Sequence, residues 1–214
     1  MTRDEGVARI KEQLAFRQTL DSTIVTNMQL AQTGLESAPT KPWFLVTDYA
    51  PLVTVADQEY VALPDDFLQE VEESHLWYRA SDYPTTKDLK LVKDDYDDLK
   101  ELYKDSESGT PEAYAIMGYR YYFFPLPDDV YSIIGRYYAR ATSLTTNVEN
   151  GWLKEAPFLI LGTTLKLIAT GPLRDKVAAG VANEWIAMGQ SLLRGQNEMR
   201  LSASREDQIG GKHW

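Results

Sequence analysis

The chain contains no cysteine. Disulfides, thiolate-bound zinc and cysteine nucleophiles are thereby excluded, and the composition suits a reducing compartment. There are only two histidines, His75 and His213. Neither has a partner at a recognisable spacing, so no general base or metal set forms around them. No stretch approaches the ~20 apolar residues of a membrane span. Met1-Thr2-Arg3-Asp4-Glu5 has no apolar run behind it, so no signal peptide is expected and synthesis in a cytoplasm is. Positive charge is scarce: 22 Lys and Arg against 32 Asp and Glu, a net charge of -10. A general nucleic-acid binder would carry a basic patch instead. A phosphate cradle is missing too. Gly210-Gly211-Lys212 is followed by His213 rather than Ser or Thr, and Gly162-Thr163-Thr164 lies inside a helical pattern. No cofactor or metal is implied.

What is present is aromatic and acidic. The 214 residues include 13 Tyr and 5 Trp, with 43% hydrophobic residues overall. That allows a real core with rings to spare for interfaces. Acidic charge gathers between Asp57 and Asp105, where 15 acidic and 6 basic side chains fall, leaving both ends near neutral.

Periodicity sets the expected elements. Val7, Ile10, Leu14, Ile24 and Met28 predict one long amphipathic helix from Asp4 to about Ala31, with a candidate break at Asp21-Ser22-Thr23 and Gly34 as its stop. Trp43–Thr47, Leu52–Val55, Gln58–Leu63 and His75–Ala80 read as short strands. Val92, Tyr96, Leu99 and Tyr103 predict a helix over Leu89–Lys104. Tyr119–Phe124 and Val130–Ala139 read as strands around the turn Pro125–Asp129. A helix is predicted from Trp152 to Thr170, capped by Gly171. Pro172 would open a last helix with the apolar stripe Leu173, Val177, Val181, Met188 and Leu192. The short link makes these two helices antiparallel neighbours. The expected fold is α+β: a helical bundle, made of the long N-terminal helix and the C-terminal antiparallel pair, with a small antiparallel β-sheet insertion. It is read as one domain over 1–200, β-rich over about 41–139, with a flexible tail over 201–214.

The acidic pairs Asp65-Asp66, Asp94-Asp95, Asp97-Asp98 and Asp128-Asp129 are the remaining candidates for chemistry. Paired carboxylates serve glycosidases and metal-dependent nucleases. Sequence neighbours, however, point apart on a helix or strand, so these read as a solvated helix face and acidic turns. A carboxylate-dependent hydrolase is kept as a remote alternative. The aromatic set around Tyr119–Phe124 could stack on bases, but the acidic charge favours a core face plus a subunit contact.

Four motifs occur in a fixed order: Tyr60-Val61-Ala62-Leu63-Pro64-Asp65-Asp66-Phe67, Tyr122-Phe123-Phe124-Pro125-Leu126-Pro127-Asp128, Arg136-Tyr137-Tyr138-Ala139, and Asn150-Gly151-Trp152-Leu153 leading through Ala156-Pro157. Together they resemble the head-to-tail adaptor (connector) proteins of tailed bacteriophages, the short-tailed type in particular, over roughly Tyr60–Leu193. Gly151 departs from the pattern by separating Asn150 from Trp152. The resemblance implies a structural, non-enzymatic virion protein at the head–tail interface. Its copies, usually twelve, would form a ring that joins the portal to the tail and extends the DNA channel. Implied partners are further copies of itself, the portal protein, tail nozzle or tail fibre proteins, and passing double-stranded DNA bound without sequence specificity. No membrane is implied. A neck or tail-completion protein is the alternative. In such a ring Asp94, Asp95, Asp97 and Asp98 are candidates to face the channel. Tyr121, Phe123, Tyr137 and Tyr138 are candidates for the subunit interface, and Ile209 and Trp214 for portal contact.

Overall fold

The computed structural model describes residues 1–15, 20–48, 52–71, 76–79, 88–145, 147–171 and 173–210. Two helices open the chain, α1 (Arg3–Gln13) and α2 (Asp21–Glu36). The strands β1 (Val46–Asp48), β2 (Leu52–Val53), β3 (Tyr60–Ala62), β4 (Phe67–Glu70), β5 (Trp77–Arg79), β6 (Asp88–Lys90) and β7 (Val92–Lys93) follow. After the short helix α3 (Tyr96–Leu102) come β8 (Ala113–Met117), β9 (Arg120–Phe124), β10 (Ser132–Ile134) and β11 (Arg136–Ala139). The chain closes with α4 (Gly151–Glu155), α5 (Pro157–Thr170) and α6 (Lys176–Gly210). It divides into a helical unit, Met1–Leu45 with Ala141–Trp214, and a β-rich unit, Val46–Arg140.

The structure is α+β, but it is not a helical bundle with a small antiparallel sheet insertion. Three sheets occupy the middle of the chain, ordered β1-β11-β4, β2-β10-β5-β6 and β3-β9-β8-β7, and the β7–β8 pair is parallel. Several of these strands are only two or three residues long, too short to show a period in the sequence. The long N-terminal helix is also corrected. Thr2 and Glu5 form a capping box at the start of α1, and Ala15 at φ 54 takes the chain out of helical geometry after Leu14. Lys11 and Asp21 bridge the break at 2.7 Å. Gly34 lies inside α2 rather than ending it. The predicted helix over Leu89–Lys104 shrinks to α3, because Leu89–Lys93 is used as strand and Asp95 caps the helix. The predicted strand Trp43–Thr47 begins as a 3-10 turn at Trp43–Leu45. His75 and the residues after Arg79 in the predicted strand His75–Ala80 lie outside the described residues, as does Pro172.

In the helical unit, α2 and α1 pack on α5. Ile10, Ile24, Met28, Trp152, Ile160, Leu161, Leu165 and Ile168 are buried there. A polar group sits among them. Glu36 Oε1 accepts from Gln32 Nε2 at 2.9 Å, the Ala141 backbone N–H at 3.1 Å and Trp152 Nε1 at 3.2 Å. Gln32 also donates to Ala141 O at 2.9 Å, and Asn150 Nδ2 donates to Thr142 O at 3.1 Å. Asn150 Oδ1 caps α4 by accepting from Leu153 N at 2.9 Å. One oxygen of the buried carboxylate thus accepts three hydrogen bonds, the kind of pairing that makes a buried polar group tolerable.

The face of α6 turned to α5 is lined by small residues. Ala178, Ala182 and Gly189 are buried, whereas Val177, Met188 and Leu192 of the predicted stripe are exposed. A Cβ on Gly189 would lie 2.5 Å from Leu159 N, and one on Gly162 would lie 2.9 Å from Ile186 N. These contacts run in opposite directions along the two helices, so α5 and α6 are antiparallel. Gly180 has nothing within 4 Å of its added Cβ. Gly189→Val should therefore destabilise the protein by about 3 kcal/mol, lowering Tm by roughly 6–12 °C, while Gly180→Ala should stabilise it by about 0.5–1 kcal/mol. Equal effects of the two in thermal denaturation would refute the close approach. Glu36→Ala removes the acceptor of three hydrogen bonds and strands the buried Trp152 indole N–H, and a loss of about 3 kcal/mol in urea unfolding is expected.

The β-rich unit is built around β9. Tyr121 and Phe123 point to one side, into a cluster with Leu52, Leu63, Leu76, Tyr78, Leu91, Tyr114 and Ile133. Tyr122 and Phe124 point to the other, against Leu99 of α3 with Tyr60, Tyr96 and Tyr103 packed alongside. Both faces of the strand are covered, so it reads as a continuous aromatic run. Tyr119 is outside it: Gly118 and Tyr119, at φ 57 and 63, make the turn between β8 and β9. The predicted strand Val130–Ala139 is two strands in two sheets, β10 and β11, changing sheet at Gly135.

Candidate functional site

The functional features of this chain are surfaces. Charge is divided between the units. Val46–Arg140 carries 20 acidic and 9 basic side chains, net -11, and the remainder carries 12 and 13, net +1. The imbalance is therefore a property of the β-rich unit alone.

Two of the sequence motifs meet in that unit. Phe67 N donates to Pro64 O at 3.0 Å, closing the turn between β3 and β4. The Tyr137 hydroxyl of β11 donates to Asp66 Oδ1 at 2.9 Å, and Phe67 stacks on the Tyr137 ring with centroids 5.7 Å apart. Arg140 N donates to Asp66 O at 2.7 Å. The acidic turn is thus tied to the Arg-Tyr-Tyr-Ala strand by side chain and backbone together. The Asn150–Leu153 motif works in the helical unit through the bonds to Gln32 and Thr142. Gly151 has a local reason: a Cβ there would lie 2.9 Å from the Phe44 ring, which meets Trp152 edge-on at 5.1 Å.

The aspartates before and within α3 are exposed. Asp95 caps the helix by accepting from Asp97 N at 2.9 Å, and Asp94 Oδ1 accepts from Asp95 N at 2.9 Å. Negative charge at this end also suits the helix dipole. Asp94, Asp95 and Asp97 border an open groove with Lys93, Tyr96, Ile116 and Met117, whereas Asp98 does not line it. Asp129 accepts from Val130 N, and Asp128 from the Tyr131 hydroxyl at 2.6 Å. No group of three or more His, Cys, Asp or Glu able to hold a metal occurs among the described residues.

The aromatic residues expected at a subunit interface are placed differently. Tyr121 and Phe123 are fully buried within the β-rich unit, Tyr137 is buried, and Tyr138 is half-buried. Ile209 falls in α6, while His213 and Trp214 lie outside the described residues. Sequence reasoning missed Gln32 and Glu36, whose four-residue spacing sits on an apolar helix face. It also missed the outward row Val53, Val55 and Val130. The signal there was available: β-branched apolar residues stand where an exposed strand face would normally be polar.

The SU10 adaptor protein family matches residues 1–208. The chain belongs to that family. It is a phage adaptor, as the ordered motifs indicated, and a structural component of the virion. None of the curated proteins compared with the adaptor matches it. No helix among the adaptor's described residues is long and apolar enough to cross a membrane.

The motif junction sets a pH response. Burial, reinforced by the Asp66 carboxylate, pushes the Tyr137 phenol up to about 12 from 10.0. Tyr78, Tyr103 and Tyr131 are also raised, burial again first. A phenol whose pKa is higher in the folded state contributes stability that is full below pH 10 and lost as pH rises toward 12. Unfolding free energy should fall across that window, and Tyr137→Phe should remove part of the fall. An unchanged slope in the Tyr137→Phe protein would show that this residue is not its source.

Proposed function

We propose that the adaptor assembles into a ring, of twelve copies by resemblance to the head-to-tail adaptors, that joins the portal to the tail and extends the DNA channel. The observation that carries this reading is the charge division. A near-neutral helical unit suits contact with protein, and a β-rich unit of net -11 suits a wall along which DNA slides without sticking. Asp94, Asp95, Asp97 and Asp98, all exposed, are then the channel-facing groups. Repulsion from such a wall is screened by salt, with a reach of about 8 Å at physiological ionic strength. The residues from Leu201 onward, with Ile209 and Trp214 as apolar anchors, dock on the portal.

Negative-stain imaging tests both parts. Purified adaptor mixed with portal rings of the same particle should add a layer at one end of the portal, with the portal's symmetry. A chain truncated after Arg200 should remain folded and add no layer. Absence of the layer with the full chain would sink the portal-joining reading, and binding to isolated tail proteins alone would favour a neck component. A layer formed equally well by the truncated chain would remove the tail from the contact.

A further inference from the structure

The sheet β2-β10-β5-β6 has an unusual outer face. Its inner face carries Leu52, Tyr78 and Ile133 into the core. The register pairs Ser132 with Val53 and Ile134 with Trp77, and Thr54 N donating to Tyr131 O extends the ladder to set Val55 beside Val130. Alternation therefore brings Val53, Val55, Val130, Ile134 and Trp77 to the outside, together with the exposed Ser132 of β10 and Lys90 of β6. Ile134 is half-buried, and the other four are 37% to 59% exposed. Asp57, Asp128 and Asp129 are exposed beside the Val55–Val130 corner. A mostly apolar patch of this kind, interrupted by Ser132, marks an interaction surface.

The helical unit has a matching feature. Val177, Val181, Met188 and Leu192 fall within about 60° of one another around α6, with the exposed Glu184 about 20° outside that sector. Val181 is half-buried, and the other three are 48% to 80% exposed. Arg174 and Lys176 are exposed beside Val177. The stripe from Val177 to Leu192 is ~22 Å long, and the diagonal of the sheet patch from Val55 to Trp77 is ~17 Å.

We infer that the α6 stripe of one copy seats on this outer sheet face of the next copy, with Val177 over the Val55–Val130 corner and Leu192 toward Trp77. An apolar helix stripe on an apolar sheet face is the standard way both are buried. Arg174 and Lys176 then meet Asp57, Asp128 and Asp129. The β-rich unit carries net -11 and the helical unit is near neutral, so contact between two β-rich units is opposed and contact between unlike units is not. A contact between two different surfaces is heterologous, and repetition of it closes a ring when the rotation from copy to copy is a whole fraction of a turn. The inference rests on the ring reading and supplies its subunit contact, which the buried Tyr121 and Phe123 do not.

The absence of cysteine makes the test direct. Two single variants, Val177→Cys and Val130→Cys, are mixed, assembled on portal rings and treated with a short bis-maleimide. A dimer-sized product in the mixture, absent from either variant alone and lost when the first also carries Met188→Asp, is expected. Val55→Cys replaces Val130→Cys should the latter melt early. Rings that form without the product would overturn this contact and leave the ring reading standing. Failure of any ring to form would overturn both. Linkage of Cys-bearing adaptor to a different virion protein would assign these faces to that partner and overturn contact between copies.

Discussion

The helical unit depends on one carboxylate. Glu36 gathers an N–H from its own helix, one from the chain returning at Ala141 and one from the Trp152 indole. The last two come from more than a hundred residues away in sequence. Their convergence fixes where α4 begins, and α4 leads directly into α5, the helix on which α1, α2 and α6 all pack. Apolar burial alone would allow α2 and α5 to slide along each other, since it is not directional. Three hydrogen bonds to one buried oxygen do not allow it.

The β-rich unit has a comparable constraint at the junction of Asp66, Phe67 and Tyr137. There a turn, a stacked ring pair and a phenol bond lock β4 to β11. The motifs that mark the family in the sequence are thus positions of packing and hydrogen bonding rather than chemistry. This fits a structural adaptor, whose surfaces engage other virion proteins.

Legibility of the fold followed element length. The helices with several turns of apolar spacing, α2, α5 and α6, stand out in the sequence. The strands at Tyr60–Ala62 and Arg120–Phe124 stand out by composition. Strands such as β2 and β7, two residues each, have no period to read, and so three sheets looked like a small insertion. Leu89–Lys93 was misread because Val92, Tyr96 and Leu99 satisfy helical spacing while Asp95 caps the helix partway through. For α6 the large residues drew attention to the wrong face. Glycine and alanine, which score weakly in any hydrophobic pattern, make the close contact with α5. The stripe of large residues is visible in the sequence, and its exposure in the structure is what makes it informative about assembly.

The pairing of Val46 with Tyr138 brings the first and last strands of the β-rich unit side by side. The helical unit is consequently discontinuous in sequence, and this has a consequence on the ribosome. At ~5–20 residues per second, about 7–25 s separate the synthesis of Met28 from that of Leu161. During that interval the apolar side of α2 has no α5 to cover it. The β-rich unit, contiguous in sequence, can complete its own pairing within the delay. The nascent adaptor is thus expected to mature from the middle outward, with its helical unit closing last.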